Sequence, residues 1–160
     1  MKNKFLNKIY LIIILILFSF TANAEENKNI NEHQINAFVG NFDFSDNKQK
    51  AILVGFQHQN ENLERDTFLG NISPITGGFL TENSAAYIYT GVEWNYAIGD
   101  KLKFTPSFAP GIYHEGNGKD LGHALEFKTE VQASYSVSES TSIGMSYNHI
   151  SNASLGDKNP

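Results

Sequence analysis

The stretch LGHALEFKTEVQASYSV constrains the fold of this 160-residue chain more than any other. Its side chains alternate: Leu121, His123, Leu125, Phe127, Thr129, Val131 and Tyr135 share one face. Glu126, Lys128, Glu130, Gln132 and Ser134 share the other. A period of two is the signature of a β-strand, whose successive side chains point to opposite sides; a helix repeats every 3.6 residues. The following segment, STSIGMSYNHIS, repeats the pattern, with Ile143, Met145, Tyr147, His149 and Ser151 on one side and Ile150 breaking the polar run on the other.

Earlier segments alternate in the same way. Ile88, Val92, Trp94 and Ile98 oppose Tyr89, Glu93 and Asn95; Leu102, Phe104, Phe108 and Ile112 oppose Lys103, Thr105 and Ser107; Ile52, Val54 and Phe56 oppose Ala51, Leu53 and Gly55. About seven strands are predicted, near 34–44, 50–58, 66–80, 85–98, 101–113, 121–137 and 141–152. SDN (45–47), GD (99–100), GNGKD (116–120) and SES (138–140) supply the turns. Pro106 and Pro110 mark the fifth strand as irregular or bulged, because proline cannot donate to a ladder.

Strands reaching about 15 residues exceed the five or six usual in soluble sheets. One apolar face and one face of small and charged residues fit an all-β, antiparallel outer-membrane barrel of the eight-stranded type, with lipid outside and side chains filling the lumen. Glu93, Glu126, Lys128 and Glu130 then form a plug of mutually paired charges. Single-chain bacterial barrels close with an even number of strands, so seven leave one wanting.

Export is written at the other end. MKNKFLNK carries Lys2, Lys4 and Lys8, IYLIIILILFSF is apolar, and Ala22 and Ala24 stand in an A-x-A cleavage site. Residues 1–24 are therefore read as a signal peptide, and 25–160 as a single barrel domain with its last strand missing. That domain holds nine basic residues against seventeen acidic ones, which argues against a nucleic-acid partner. The chain has no Cys, so disulfides and thiolate metal sites are excluded, and no later apolar run is long enough for a transmembrane helix. His33, His58 and His114 lack the spacing of metal ligands, and GNGKD lacks that of a phosphate loop. Trp94, Tyr87, Tyr89, Tyr96 and Tyr113 read as interfacial girdle or lumen filling, and His123 as an incidental interfacial residue.

His149 and Ser151 are two apart on a strand and so share a face, the one assigned to lipid. Polar groups there are costly except near the membrane–water interface. A Ser beside a His that takes its proton is a nucleophile, and an outward placement gives it access to acyl chains. By itself the H-x-S spacing is weak evidence and reads as an ordinary interfacial polar pair.

The segment HISNASLGDKNP closely resembles the signature of the outer-membrane lipid A 3-O-deacylases, the acyloxyacyl hydrolase family. GIYHEGNGKDLGHALEFKTEVQASYSVSESTSIGMSYN is similar to the strand pair leading to that family's active site. The likeness spans residues 84–160 and is strongest from 111 onward. It implies an eight-stranded barrel with an outward-facing active site. It further implies Ser151 as nucleophile, His149 as general base and Asn159 as oxyanion support, with Asn152 shaping the loop. The reaction implied is hydrolysis of the 3-linked ester of lipid A in lipopolysaccharide, in contact with outer-membrane lipid, without metal or cofactor. Whether the chain works alone or as a homodimer is left open. The family pattern continues past Asn159-Pro160 into a glycine and the glutamate of the triad, so the sequence is expected to be truncated, with impaired catalysis. Two other readings remain at this level: a non-catalytic structural or adhesive outer-membrane barrel, and a soluble periplasmic β-sandwich binder.

Overall fold

Alternating side chains become two unlike surfaces once strands pair. The computed structural model describes residues 33–43 and 50–158. The proposed signal peptide, the SDN turn and Asn159 lie outside the described residues. Eight antiparallel strands follow one another: β1 (His33–Phe42), β2 (Ala51–Asn60), β3 (Arg65–Thr67), β4 (Gly70–Thr81), β5 (Ala86–Ile98), β6 (Leu102–His114), β7 (Leu125–Ser136) and β8 (Ser142–Ser151). The order across the sheet is β1-β2-β4-β5-β6-β7-β8, and the short β3 pairs with β4. This is a meander curled into a half-barrel, as the alternation predicts. Among the described residues β1 and β8 are the flanking strands, and β1 reaches across the interior, where Asn36 Nδ2 donates to Gln132 Oε1 of β7 at 3.2 Å.

The two faces differ as the sequence requires. Ile35, Ile88 and Ile143 stand outward and exposed, as does Met145 at 84 %. An exposed apolar band running over every long strand is unsuited to water and suited to hydrocarbon. Inside, Tyr87 is wholly buried, and its hydroxyl donates to the carbonyls of Ala109 at 3.1 Å and Glu126 at 3.0 Å. Its ring packs against those of Phe79 and Tyr89, and Phe42 stacks on Tyr113. Tyr87, Tyr89 and Tyr113 thus fill the lumen, whereas Tyr96 lies on the outer side. Ile150, the exception to the polar run, is buried against this interior cluster.

The interior charges are only partly paired with one another. Lys128 Nζ contacts Glu130 Oε2 at 2.6 Å and sits 4.0 Å from the centre of the Tyr89 ring. Glu93 instead accepts from Gln57 Nε2 at 3.0 Å, and Gln57 Oε1 accepts from the Tyr89 hydroxyl. Neither carboxyl oxygen of Glu126 has a hydrogen-bond partner among the described residues.

Three local expectations need correction. The strand expected at 66–80 is broken at Phe68–Leu69, where Gly70 adopts φ +101° and β3 folds back on β4 as a hairpin. The strand expected from residue 121 starts at Leu125: Gly122 has φ +89°, its N–H is held by Asp120 Oδ1 at 2.7 Å, and Leu121 turns inward and is buried. The prolines of β6 make no bulge. Its register is unshifted against both neighbours, and the irregularity is confined to the β5 ladder, which is interrupted at Thr105–Pro106 and at Ala109–Pro110. On an antiparallel strand, residues four apart direct their backbone nitrogens at the same neighbour, so both missing donors fall on the β5 side.

The curl depends on inward positions without side chains. A Cβ on Gly91 would lie 2.1 Å from the Phe108 carbonyl oxygen and 2.5 Å from Ala109 Cα, both backbone atoms that cannot step aside. We expect Gly91→Ala to lower the stability of the folded barrel by about 1–3 kcal/mol, measured as a lower urea midpoint in detergent micelles. An unchanged midpoint would show that the strands part freely there.

Candidate active site

The last strand aims its side chains by simple counting. On β8, Ile143, Met145, Tyr147, His149 and Ser151 point outward. Register with β7 puts Tyr147 opposite Val131, His149 opposite Thr129 and Ser151 opposite Phe127. β6 extends those rows with Phe108 beside Thr129 and Pro110 beside Phe127. Phe108 and Phe127 stack with ring centres 6.0 Å apart. His149 and Ser151 therefore occupy the end of the apolar face, flanked by aromatic rings on one side.

His149 is exposed and Ser151 half-buried. Thr129 Oγ1 lies 3.5 Å from the His149 carbonyl oxygen, but the His149 ring and the Ser151 hydroxyl have no hydrogen-bond partner among the described residues, each other included. Catalytic hydrogen bonds are often long without substrate, so this spacing describes a resting arrangement. Further along the same face, Phe104, Val131, Ala133, Met145 and Tyr147 line a shallow hollow of about 260 Å³. Six residues of strand, roughly 20 Å, separate Ser151 from Met145.

Above the strand end two loops lock together. Asn152 is fully buried and faces inward, and its Nδ2 donates to the Leu121 carbonyl at 2.7 Å and the Lys158 carbonyl at 2.5 Å. Both of its amide hydrogens are thereby spent on backbone. The loops meet so closely that a Cβ on Gly156 would lie 2.3 Å from the Gly122 carbonyl oxygen. Outside, Lys158 Nζ contacts Asp120 Oδ2 at 2.5 Å. His123 belongs to the same turn, its Nδ1 accepting from the Leu125 N–H at 2.9 Å, and does not join His149. Glu126 and Glu130 point into the barrel, away from His149. At the opposite end of the sheet His33 and His58 stack with ring nitrogens 2.9 Å apart, and no group of three or more metal-ligating side chains forms among the described residues.

Sequence reasoning passed over the tie between Asp120 and Lys158. The Lys158 hydrogen bond and the Gly122 N–H hold the Asp120 carboxyl below its ordinary 3.8, and Asp120 holds the Lys158 ammonium above its ordinary 10.5. Asp120 is depressed, so its contribution is complete above 3.8 and is lost as pH falls through the lowered value. Lys158 is raised, so its contribution is complete below 10.5 and is lost as pH rises through the raised value. A spin label on Asp157→Cys, unique in a chain without cysteine, should keep constant mobility across the neutral range. It should loosen only at the acid and alkaline extremes. Asp120→Asn should show the loosened spectrum at every pH, and a label insensitive to both changes would mean the tie does not hold the loop.

One family model, Lipid A 3-O-deacylase (PagL), matches residues 50–160. It begins well before residue 84, where the resemblance in the sequence starts. No curated protein and no solved structure gave a match.

Proposed function

The chain belongs to the lipid A 3-O-deacylase family, and on that footing we propose that it is a serine esterase whose nucleophile is Ser151 and whose general base is His149. Family and barrel together point to the outer membrane, with lipid A as the substrate. The observation that carries the finer reading is the shared outward orientation of His149 and Ser151 at the end of an apolar strand face. A structural barrel gains nothing by setting a base and a hydroxyl there.

In the proposed reaction His149 takes the Ser151 proton as Oγ attacks the ester carbonyl carbon. The tetrahedral intermediate collapses, the C–O bond to the sugar breaks, and His149 returns the proton to the departing 3-oxygen. Water, deprotonated by His149, then attacks the acyl-serine and releases a hydroxy fatty acid. Asn159 is proposed to donate to the oxyanion, as the family resemblance implies. Asn152 is proposed as support only, because its amide hydrogens are engaged by Leu121 and Lys158. The hollow lined by Val131, Ala133 and Met145 is proposed to take the acyl chain.

The non-catalytic reading is favoured by one observation, the absence of a hydrogen bond between His149 and Ser151. Substitution decides between the two. Ser151→Ala and His149→Asn should each reduce loss of the 3-linked acyl chain, followed by mass spectrometry of lipid A, by roughly a thousandfold or more. Deacylation that survives Ser151→Ala would remove the nucleophile assignment. Ala133→Trp, which fills the hollow away from the reacting atoms, should raise KM with little change in kcat, the mark of lost ground-state binding.

A further inference from the structure

The rung beyond Ser151 holds an unresolved contact. β7 and β8 pair Phe127 with Ser151. The next position in that register sets Glu126 opposite Asn152, and both turn into the barrel with 0 % exposure. They are neighbours on the inner side of that rung. Yet among the described residues both carboxyl oxygens of Glu126 and the Asn152 Oδ1 lack a hydrogen-bond partner. A buried unpaired acceptor is costly, and a buried charge without a partner costs more.

Turning the Asn152 amide over does not relieve this. Its Nδ2 hydrogens are held by the carbonyls of Leu121 and Lys158, and a flip would set Oδ1 against both of those oxygens. Three acceptor oxygens on two inward-facing neighbours thus receive no hydrogen from the described residues. One proton reconciles them. The other titratable or charged groups near Glu126 leave that proton in place. Asp120 is an anion tied to Lys158, Tyr87 spends its hydroxyl on backbone carbonyls, Tyr113 donates to the Lys119 carbonyl, and the Lys128 ammonium is taken by Glu130 and the Tyr89 ring.

We infer that Glu126 is a neutral acid donating its proton to Asn152 Oδ1, and that through Asn152 it is a positioning residue for Ser151. The chain of contacts is short. Glu126 orients the Asn152 amide, the amide pins the loops at Leu121 and Lys158, and the peptide joining Asn152 to Ser151 fixes the end of β8. Glu126 stands on the far side of the sheet from the substrate and touches none of it. The inference deepens the serine-esterase reading and rests on it for the effect on rate; the proton itself does not depend on that reading.

The experiment compares the full chain with Glu126→Gln and Glu126→Ala in micelles of an ester-free detergent. Wild type minus Glu126→Gln should show, at neutral pH, the infrared carbonyl band of a protonated carboxylic acid. Gln carries the required hydrogen on Nε2, so Glu126→Gln should retain wild-type kcat for deacylation. Glu126→Ala should lose about ten- to a hundredfold in kcat, with KM little altered. Absence of the acid band, or a Glu126→Gln enzyme as slow as Glu126→Ala, would overturn the inference. If Glu126→Ala does not fold, the band and the Gln variant still decide it. If wild type and Ser151→Ala are equally inactive, the esterase reading fails and the infrared band alone judges the Glu126–Asn152 pair.

Discussion

The antiparallel register between β7 and β8 is the constraint on which the rest depends. Strand side chains alternate, so a slip of one residue would exchange the two faces entirely. If β7 gave way, Lys128 and Glu130 would pass into hydrocarbon and Val131 and Tyr135 into the lumen; if β8 gave way, His149 would turn inward. The interior resists such a slip. Lys128 is fixed by Glu130 and by the face of Tyr89, and the Tyr87 hydroxyl is fixed by two backbone carbonyls. Charges placed in lipid carry a heavy penalty that these contacts avoid. The lumen thus determines the side of the sheet on which His149 and Ser151 emerge.

Much of this was legible in the sequence because alternation is a local property. The long strands, their polar inner faces and the shared outward face of His149 and Ser151 follow from counting by twos. What escaped was set by backbone geometry or by distant partners. RDTFLGNISPITGGFL alternates across a point where the chain turns, and only the positive φ of Gly70 reveals the β3–β4 hairpin. LGHA continues the pattern of β7, yet Gly122 and Asp120 make it a turn and send Leu121 inward. The paired plug expected of Glu93 and Glu126 failed because charge content says nothing of reach: Glu93 found a glutamine, and the Glu126 carboxyl found no cation among the described residues.

The family was legible from residue 84 in the sequence and from residue 50 by the family model. The difference has a physical basis. Early strands such as AILVGFQH meet only the general demand of apolar outside and small or polar inside, which many sequences satisfy. The segment from His149 onward meets specific demands as well. It needs a side chain that spends two hydrogens on neighbouring carbonyls, and glycines where loops approach within contact distance.

On the esterase reading, the placement of the pair along the strand matters as much as its face. An ester of lipid A joins a polar sugar to an acyl chain, so its scissile bond lies at the boundary between headgroup and hydrocarbon. Ser151 sits at the corresponding boundary of the protein. Below it the outer face is apolar down to Met145, and above it the loops carry Asp120, Lys119 and Lys158. A nucleophile deeper along β8 would need the ester drawn into lipid, and one in the loops would lie beyond the chains. Half-buried Ser151 beside exposed His149 keeps the nucleophile near the chain and leaves the base within reach of the water that the second half of the reaction consumes.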